Sequence, residues 1–373
     1  MNIKVITTAE ELKSIGHEWN RAVKNSYRDV VPLTHEWISA WWNNFGEPNK
    51  MHVVVLYDDN GEISGIAPLM KVCCKYRGFN IKKISLMANG HTPSSDFITN
   101  KKGGAEAVKN ILAYLECLPN LDIIELTKLD SNSYTHSIIL DHIKTNNKKF
   151  GLKNNTESPF ITINSDWDTF FKNRSQKFRK AMRNKINRAE KSGDLSVEKI
   201  QILDGNNEAI REMFKISGNS WKKNIGTDIM SNPRSKSFYS EICDRLGPHG
   251  VITLWFLKKG NQPIAFEFHL TYNNVVYPIR ADYDESFSNL SPGSVIEYNI
   301  IKSLFNGNNI KEYNTCGHTY NYLMNWTDDT RKNVNIEIFN ENFKSYGLYI
   351  LEYKLIPFLR KLKLNKLKQA VMS

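Results

Sequence analysis

The feature that most constrains this chain is a pattern it carries twice. Residues 52–71, HVVVLYDDNGEISGIAPLMK, and residues 251–271, VITLWFLKKGNQPIAFEFHLT, both place apolar runs rich in β-branched and aromatic residues around a short turn. The turns, Asp58-Asp59-Asn60-Gly61 and Lys258-Lys259-Gly260-Asn261, tolerate positive φ, so each segment predicts an antiparallel hairpin. The segments after the hairpins repeat as well. After the first hairpin come a strand at Lys83–Met87, a helix from about Gly104 to Cys117 and a strand at Asp122–Thr127. After the second come a strand at Val275–Asp282, a helix from about Pro292 to Phe305 and a strand at Ile310–Cys316. Each half reads as helix, hairpin, strand, helix, strand. The chain has 373 residues, more than one hydrophobic core usually serves, so two copies of one mixed α/β unit are expected, packed side by side. The predicted divisions are 1–160, 161–340 and a basic tail over 341–373.

Between the halves, residues 165–192 place Phe171, Phe178, Met182, Ile186 and Ala189 at spacings near three and four, with Arg and Lys on the other faces. This predicts an amphipathic helix ending at Ser192–Gly193. Its aromatics fall on the apolar stripe and not among the cations, so no nucleic-acid partner is expected; a solvated or acid-neutralised basic face is the simpler reading. The formal charge of +11 nonetheless favours anionic partners, among them multiply phosphorylated small molecules. Cys73, Cys74, Cys117, Cys243 and Cys316 form an odd set without a C-x-x-C pair, which predicts reduced thiols and no metal. The opening MNIKVITTAEELKSIGHEW has charges inside its apolar runs, so a cytoplasmic protein is expected.

The order of K-F-R-K-A-M-R-N-K-I-N-R-A-E-K-S-G at 177–193, Q-P-I-A-F-E-F-H at 262–269, S-P-G at 291–293 and C-G-H-T-Y-N-Y-L-M-N-W at 316–326 resembles the CelD-type acetyltransferases. P-L-T-H-E-W-I-S-A-W-W at 32–42 and G-I-A-P-L at 65–69 match the same family, which belongs to the GNAT superfamily and is related to the FemAB-type aminoacyltransferases. The resemblance covers about residues 5–335 and implies two tandem GNAT-like domains, the second binding acyl-coenzyme A, and no metal. The chain departs from the family pattern at Asn314, where an Asp is usual, and at Leu323, where a Lys often follows the tyrosine.

The resemblance implies that the turn Phe287–Ser294 holds the coenzyme A pyrophosphate, through Ser288, Asn289, Leu290, Ser291, Gly293 and Ser294, at the positive end of a helix that opens with Pro292. Transfer to an amine needs a base. Strand alternation puts Glu267 and His269 on one face and Arg280 and Asp282 on one face of the next strand, so Glu267 or Asp282 is the expected base, unless the acids simply pair with Arg280. The resemblance implies a tyrosine acid for the departing thiolate, Tyr322, with Tyr320 or His318 as alternatives. The resemblance implies that His91 and Asp96, in the polar loop N-G-H-T-P-S-S-D, meet the acceptor between the two halves, with His269, Arg280 and Tyr283 also expected to bind it. Trp221 and Lys222 offer a face for a nucleotide.

Charge and resemblance together lead to a nucleotide-linked amino sugar, of the dTDP-3-amino-3,6-dideoxyhexose type used for surface polysaccharides, as the acceptor. Two alternatives stay open. One is a FemAB-type transfer from aminoacyl-tRNA. The other is a non-enzymatic membrane-surface protein, because the tail YGLYILEYKLIPFLRKLKLNKLKQ is amphipathic and basic, although Pro357 is expected to break its helix.

Overall fold

The computed structural model describes residues 2–205, 207–307 and 309–362. The first half opens with β1 (Asn2–Ile6), α1 (Ala9–Ser14), α2 (Gly16–Lys24) and α3 (His35–Phe45). A capping box starts α1, with Thr8 Oγ1 accepting from Glu11 N–H and the Glu11 carboxylate accepting from Thr8 N–H. The first repeat is built from β2 (Lys50–Met51), β3 (Val53–Tyr57), β4 (Ile63–Ala67), β5 (Leu69–Tyr76) and β6 (Phe79–Leu86). The hairpin's second arm is not the single strand expected. Pro68 has no N–H for a ladder and divides the arm, so that β4 pairs with β3 while β5 pairs with β6 in a different sheet. Then come β7 (Ile98–Thr99), α4 (Gly104–Glu116), β8 (Ile123–Asp130), parallel to β6, and α5 (Tyr134–Thr145).

The long strand β9 (Lys149–Thr162) leads into the second half. The expected single helix over 165–192 is two helices, α6 (Trp167–Lys172) and α7 (Gln176–Lys191). Ser175 separates them, because its hydroxyl accepts from Phe178 N–H and caps α7 in place of a continuing helical turn. The second repeat comprises β10 (Leu195–Gln201), α8 (Glu208–Gly218), α9 (Pro233–Leu246), β11 (Ile252–Lys259), β12 (Gln262–Tyr272), β13 (Val275–Tyr283), α10 (Pro292–Asn306) and β14 (Glu312–Asn314), the last shorter than expected. The chain continues through α11 (Asn321–Met324), β15 (Thr330–Phe339) and α12 (Phe343–Ile350).

The halves are joined by an exchange of strands. β9 borders β14 of the second half at Phe160–Thr162, and β15 crosses back to border β8 of the first. β9 and β15 run antiparallel along each other at the centre, which fuses the two repeats into one eleven-stranded sheet. Residues 330–339 therefore complete the sheet of the first half, although they fall within the 161–340 span. One apolar core bridges the repeats: Trp37 of α3 meets Phe238 of α9 edge to face, with 5.3 Å between ring centroids. A second core fills the space between α6, α7, α10 and the second repeat's sheet.

Candidate active site

The parallel ladder between β13 and β14 lasts only two pairs, Val275 with Glu312 and Val276 with Tyr313. Pro278 has no N–H to continue it, and the β12–β13 register jumps from Phe268/Arg280 to His269/Pro278, a bulge that leaves Ile279 unmatched and bends β13 away. The strands splay, and a cavity of about 570 Å³ opens between residues 278–283 on one side and Tyr313 and residues 315–317 on the other. Gly317 packs closely under Leu323 in this turn. A Cβ there would lie 2.9 Å from Leu323 Cδ1.

The first turn of α10 forms part of the wall. Ser291 sits in the left-handed region at φ 54°, an uncommon conformation for serine, and no side chain caps the helix, whereas α5, α7, α8 and α9 are capped by Ser133, Ser175, Asn207 and Asn232. Two cations of α7 reach this turn: Lys185 Nζ donates to Ser294 Oγ at 2.9 Å and Arg188 Nη2 to Ser291 Oγ at 2.7 Å. Among the described residues, no carboxylate lies within 4.0 Å of a side-chain nitrogen of α7's cations. The basic face is thus not neutralised by acids. Lys177, Lys180, Arg183 and Lys191 are exposed, as expected of a solvated face, while Lys185 and Arg188 reach the wall of the cavity. Ser288, Ser291, Gly293 and Ser294 line the cavity as expected. Asn289 does not, and Leu290, 5% exposed, packs into the second core because its side chain is apolar.

Glu267 lines the same cavity from β12. Its Oε2 is 2.8 Å from His269 Nε2 and accepts from the Tyr313 hydroxyl at 3.1 Å. His269 is buried behind Glu267 and does not face the cavity. Sequence reasoning missed a second acid, Glu297 of α10, which also lines the cavity and accepts from Trp326 Nε1 at 3.0 Å. Burial, reinforced by the nearby Glu267 carboxylate, raises the Glu297 carboxyl to about 8. The available signal was a charge on the apolar stripe of a helix, since Glu297, Ile300, Ile301 and Leu304 share one face. Tyr322 lines the cavity with its ring partly exposed, and burial of its phenol, with the two glutamates, raises it above its ordinary value.

Asp282 is no free base. Its carboxylate lies 2.5 Å from Lys222 Nζ and 2.8 Å from the Arg280 guanidinium, and accepts from Ser217 Oγ at 2.7 Å. Lys222 is likewise committed to Asp282 and not available as a free cation. Trp221, 45% exposed, Arg280 and Tyr283 also line the cavity. Three further residues lie outside it. His318 is exposed against Tyr320, His91 packs on Phe45 and Phe238, and Asp96 is fully buried and bonded by Arg28. Ring packing and its contacts with Ser235 and Tyr239 hold half-buried His91, and full burial holds Asp96, in the body of the fold. The space between the halves is a smaller cleft of about 250 Å³, lined by Arg28, Ser94, Tyr277 and Arg331 among others.

Residues 176–323 match the family model described as an acetyltransferase (GNAT) domain. The matched span begins with α7 and ends in α11, taking in the walls of the cavity. The second half carries a GNAT-type acyltransferase domain. No curated protein matches the chain. Solved structures are similar over nearly its whole length. The crystal structure of FemX has a TM-score of 0.57 at 12% identity, covering 94% of this chain and 100% of that one. A conserved protein of unknown function from Bacteroides thetaiotaomicron VPI-5482 has a TM-score of 0.58 at 12% identity, covering 91% and 100%. L-PGS from Bacillus licheniformis has a TM-score of 0.54 at 8% identity, covering 90% and 94%. At such identities the likeness is one of fold, and it accords with the mixed α/β architecture expected from the sequence.

Proposed function

We propose that the GNAT domain moves an acyl group from acyl-coenzyme A to the amine of a nucleotide-linked amino sugar, of the dTDP-3-amino-3,6-dideoxyhexose type, in cytoplasmic synthesis of a surface polysaccharide. One observation carries this reading: a single cavity gathers an uncapped helix N-terminus backed by two cations and a buried pair of carboxyls. The first turn of α10, with Arg188 and Lys185, fits a pyrophosphate. The edge of β13 beyond Val276 has no partner strand on the cavity side and can take an extended pantetheine arm as an added strand.

In this scheme Glu297, near 8, accepts a proton from the substrate ammonium. The neutral amine attacks the thioester carbonyl, the C–N bond forms, the C–S bond breaks, Tyr322 gives its proton to the thiolate sulfur, and the second proton leaving the amine nitrogen restores the phenol. Glu267, held by His269 and Tyr313, keeps the second carboxyl in place beside it. Trp221, at the rim, offers its indole face to a nucleotide base.

The cations of α7 equally favour a larger polyanion, which supports a second reading as a FemAB-type transferase using aminoacyl-tRNA. One assay separates the two. Purified protein given acyl-coenzyme A donors and dTDP-linked amino sugars is expected to release free thiol only when both are present. No release from any pair, together with transfer from aminoacyl-tRNA that falls steeply with salt, would replace the first reading by the second.

A further inference from the structure

α12 does not stop at Ile350. A π-turn over Leu351–Leu355 carries it into a helical stretch that runs on to residue 362. Pro357 fails to break it because Ile356 N–H bonds back to Leu351 O, and this wider turn accommodates the proline. One side of the helix is docked on the body. Ser345 Oγ donates to Asp122 O, Glu352 is bonded by Arg77 and lies 3.3 Å from Lys153, and the Tyr353 hydroxyl donates to Glu337 at 2.7 Å. The Tyr353 ring lies so close on Gly151 that a Cβ there would come within 1.7 Å of it. The orientation of the helix is therefore fixed.

Its other side is apolar and uncovered. Tyr346, Ile350, Leu355, Phe358, Leu359 and Leu362 are between 36% and 58% exposed, and residues 357–362 are all exposed. Lys354, Arg360 and Lys361 stand among them. The sequence from Lys354 to Lys368 holds six cations and no acid. Among the described residues no helix is long and apolar enough to cross a membrane. Fixed orientation, exposed apolar side chains and charge of one sign together describe a helix that lies in a lipid interface. We infer that this helix seats the protein on an anionic membrane surface, its apolar side chains among the acyl chains and its cations on the lipid phosphates. The inference is independent of the acyl donor and acceptor.

The test is co-sedimentation of the full chain with vesicles. Binding is expected to vesicles of equal parts phosphatidylglycerol and phosphatidylcholine, and to be weaker by roughly tenfold or more on phosphatidylcholine alone. The combined Phe358→Asp, Leu359→Asp and Leu362→Asp variant alters side chains on the uncovered face, so its melting temperature should hold while binding falls by about tenfold or more. The Arg360→Glu and Lys361→Glu pair gives an independent arm and should lower binding to the anionic vesicles alone. Absence of binding to the anionic vesicles, equal binding to both compositions or unchanged binding of both variants would overturn the inference. So would a dimer in size-exclusion chromatography that the Asp variant turns into monomer, because a second copy would then occupy this face.

Discussion

Replacing Glu297 by glutamine is expected to lower kcat/KM by about 10²–10⁴-fold, the usual worth of a positioned general base. The wild-type rate should rise as pH passes through about 8, because below that value the buried carboxyl keeps its proton and cannot take one from the ammonium. In Glu297→Gln that limb should vanish, whereas titration of the substrate amine alone would leave it in place. Stability should move in the opposite sense. A carboxyl whose folded value lies above its ordinary 4.5 contributes stability that is fully present below 4.5 and is lost as pH rises through 8. Melting temperatures of the wild type should therefore fall toward alkaline pH relative to the variant, by the equivalent of a few kcal/mol, order of magnitude. A Glu297→Gln enzyme with the rate and pH profile of the wild type would assign the proton to another group.

Trp326→Ala is expected to cost about 3–5 kcal/mol in denaturant unfolding. The indole is 1% exposed and packs edge to face on Phe178 at 4.8 Å, with Phe170, Phe171 and Trp167 around it at 6.3 to 6.5 Å. Its Nε1–H is also the hydrogen-bond donor to Glu297, so truncation leaves a void and an unpaired buried acceptor together. Activity should fall with stability. A loss under about 1 kcal/mol would mean that the aromatic cluster of the second core repacks around the gap.

The elements that build the cavity are legible in the chain because their signals are local. The turn at Gly260-Asn261 marks the β11–β12 hairpin, and Glu267 and His269, two apart, do share a face and touch. The exchange of β9 and β15 is not legible. Both strands pair along most of their length, and nothing in a period-two pattern says which half a strand will border. Glu297 escaped because its neighbours Val295, Ile296, Ile300 and Ile301 read as ordinary helix core, and only burial beside Glu267 makes it a reactive acid. The role of α7 escaped for a similar reason. Its charge pattern describes a face, but the landing of Lys185 and Arg188 on Ser294 and Ser291 depends on how α7 packs against α10. Pro278 was visible throughout, and its consequence, the end of the parallel ladder, became visible only with the partner strand.

The claim on which the rest depends is that the donor thioester enters between β13 and β14 with its pyrophosphate on the first turn of α10. A crystal structure of the complex with coenzyme A tests it most directly. The expected result is pyrophosphate against the N–H groups of Gly293 and Ser294 and the guanidinium of Arg188, with the sulfur in the splayed gap facing Glu297. Pyrophosphate bound away from residues 288–294, or a soaked crystal whose gap stays empty while the protein remains active, would contradict it.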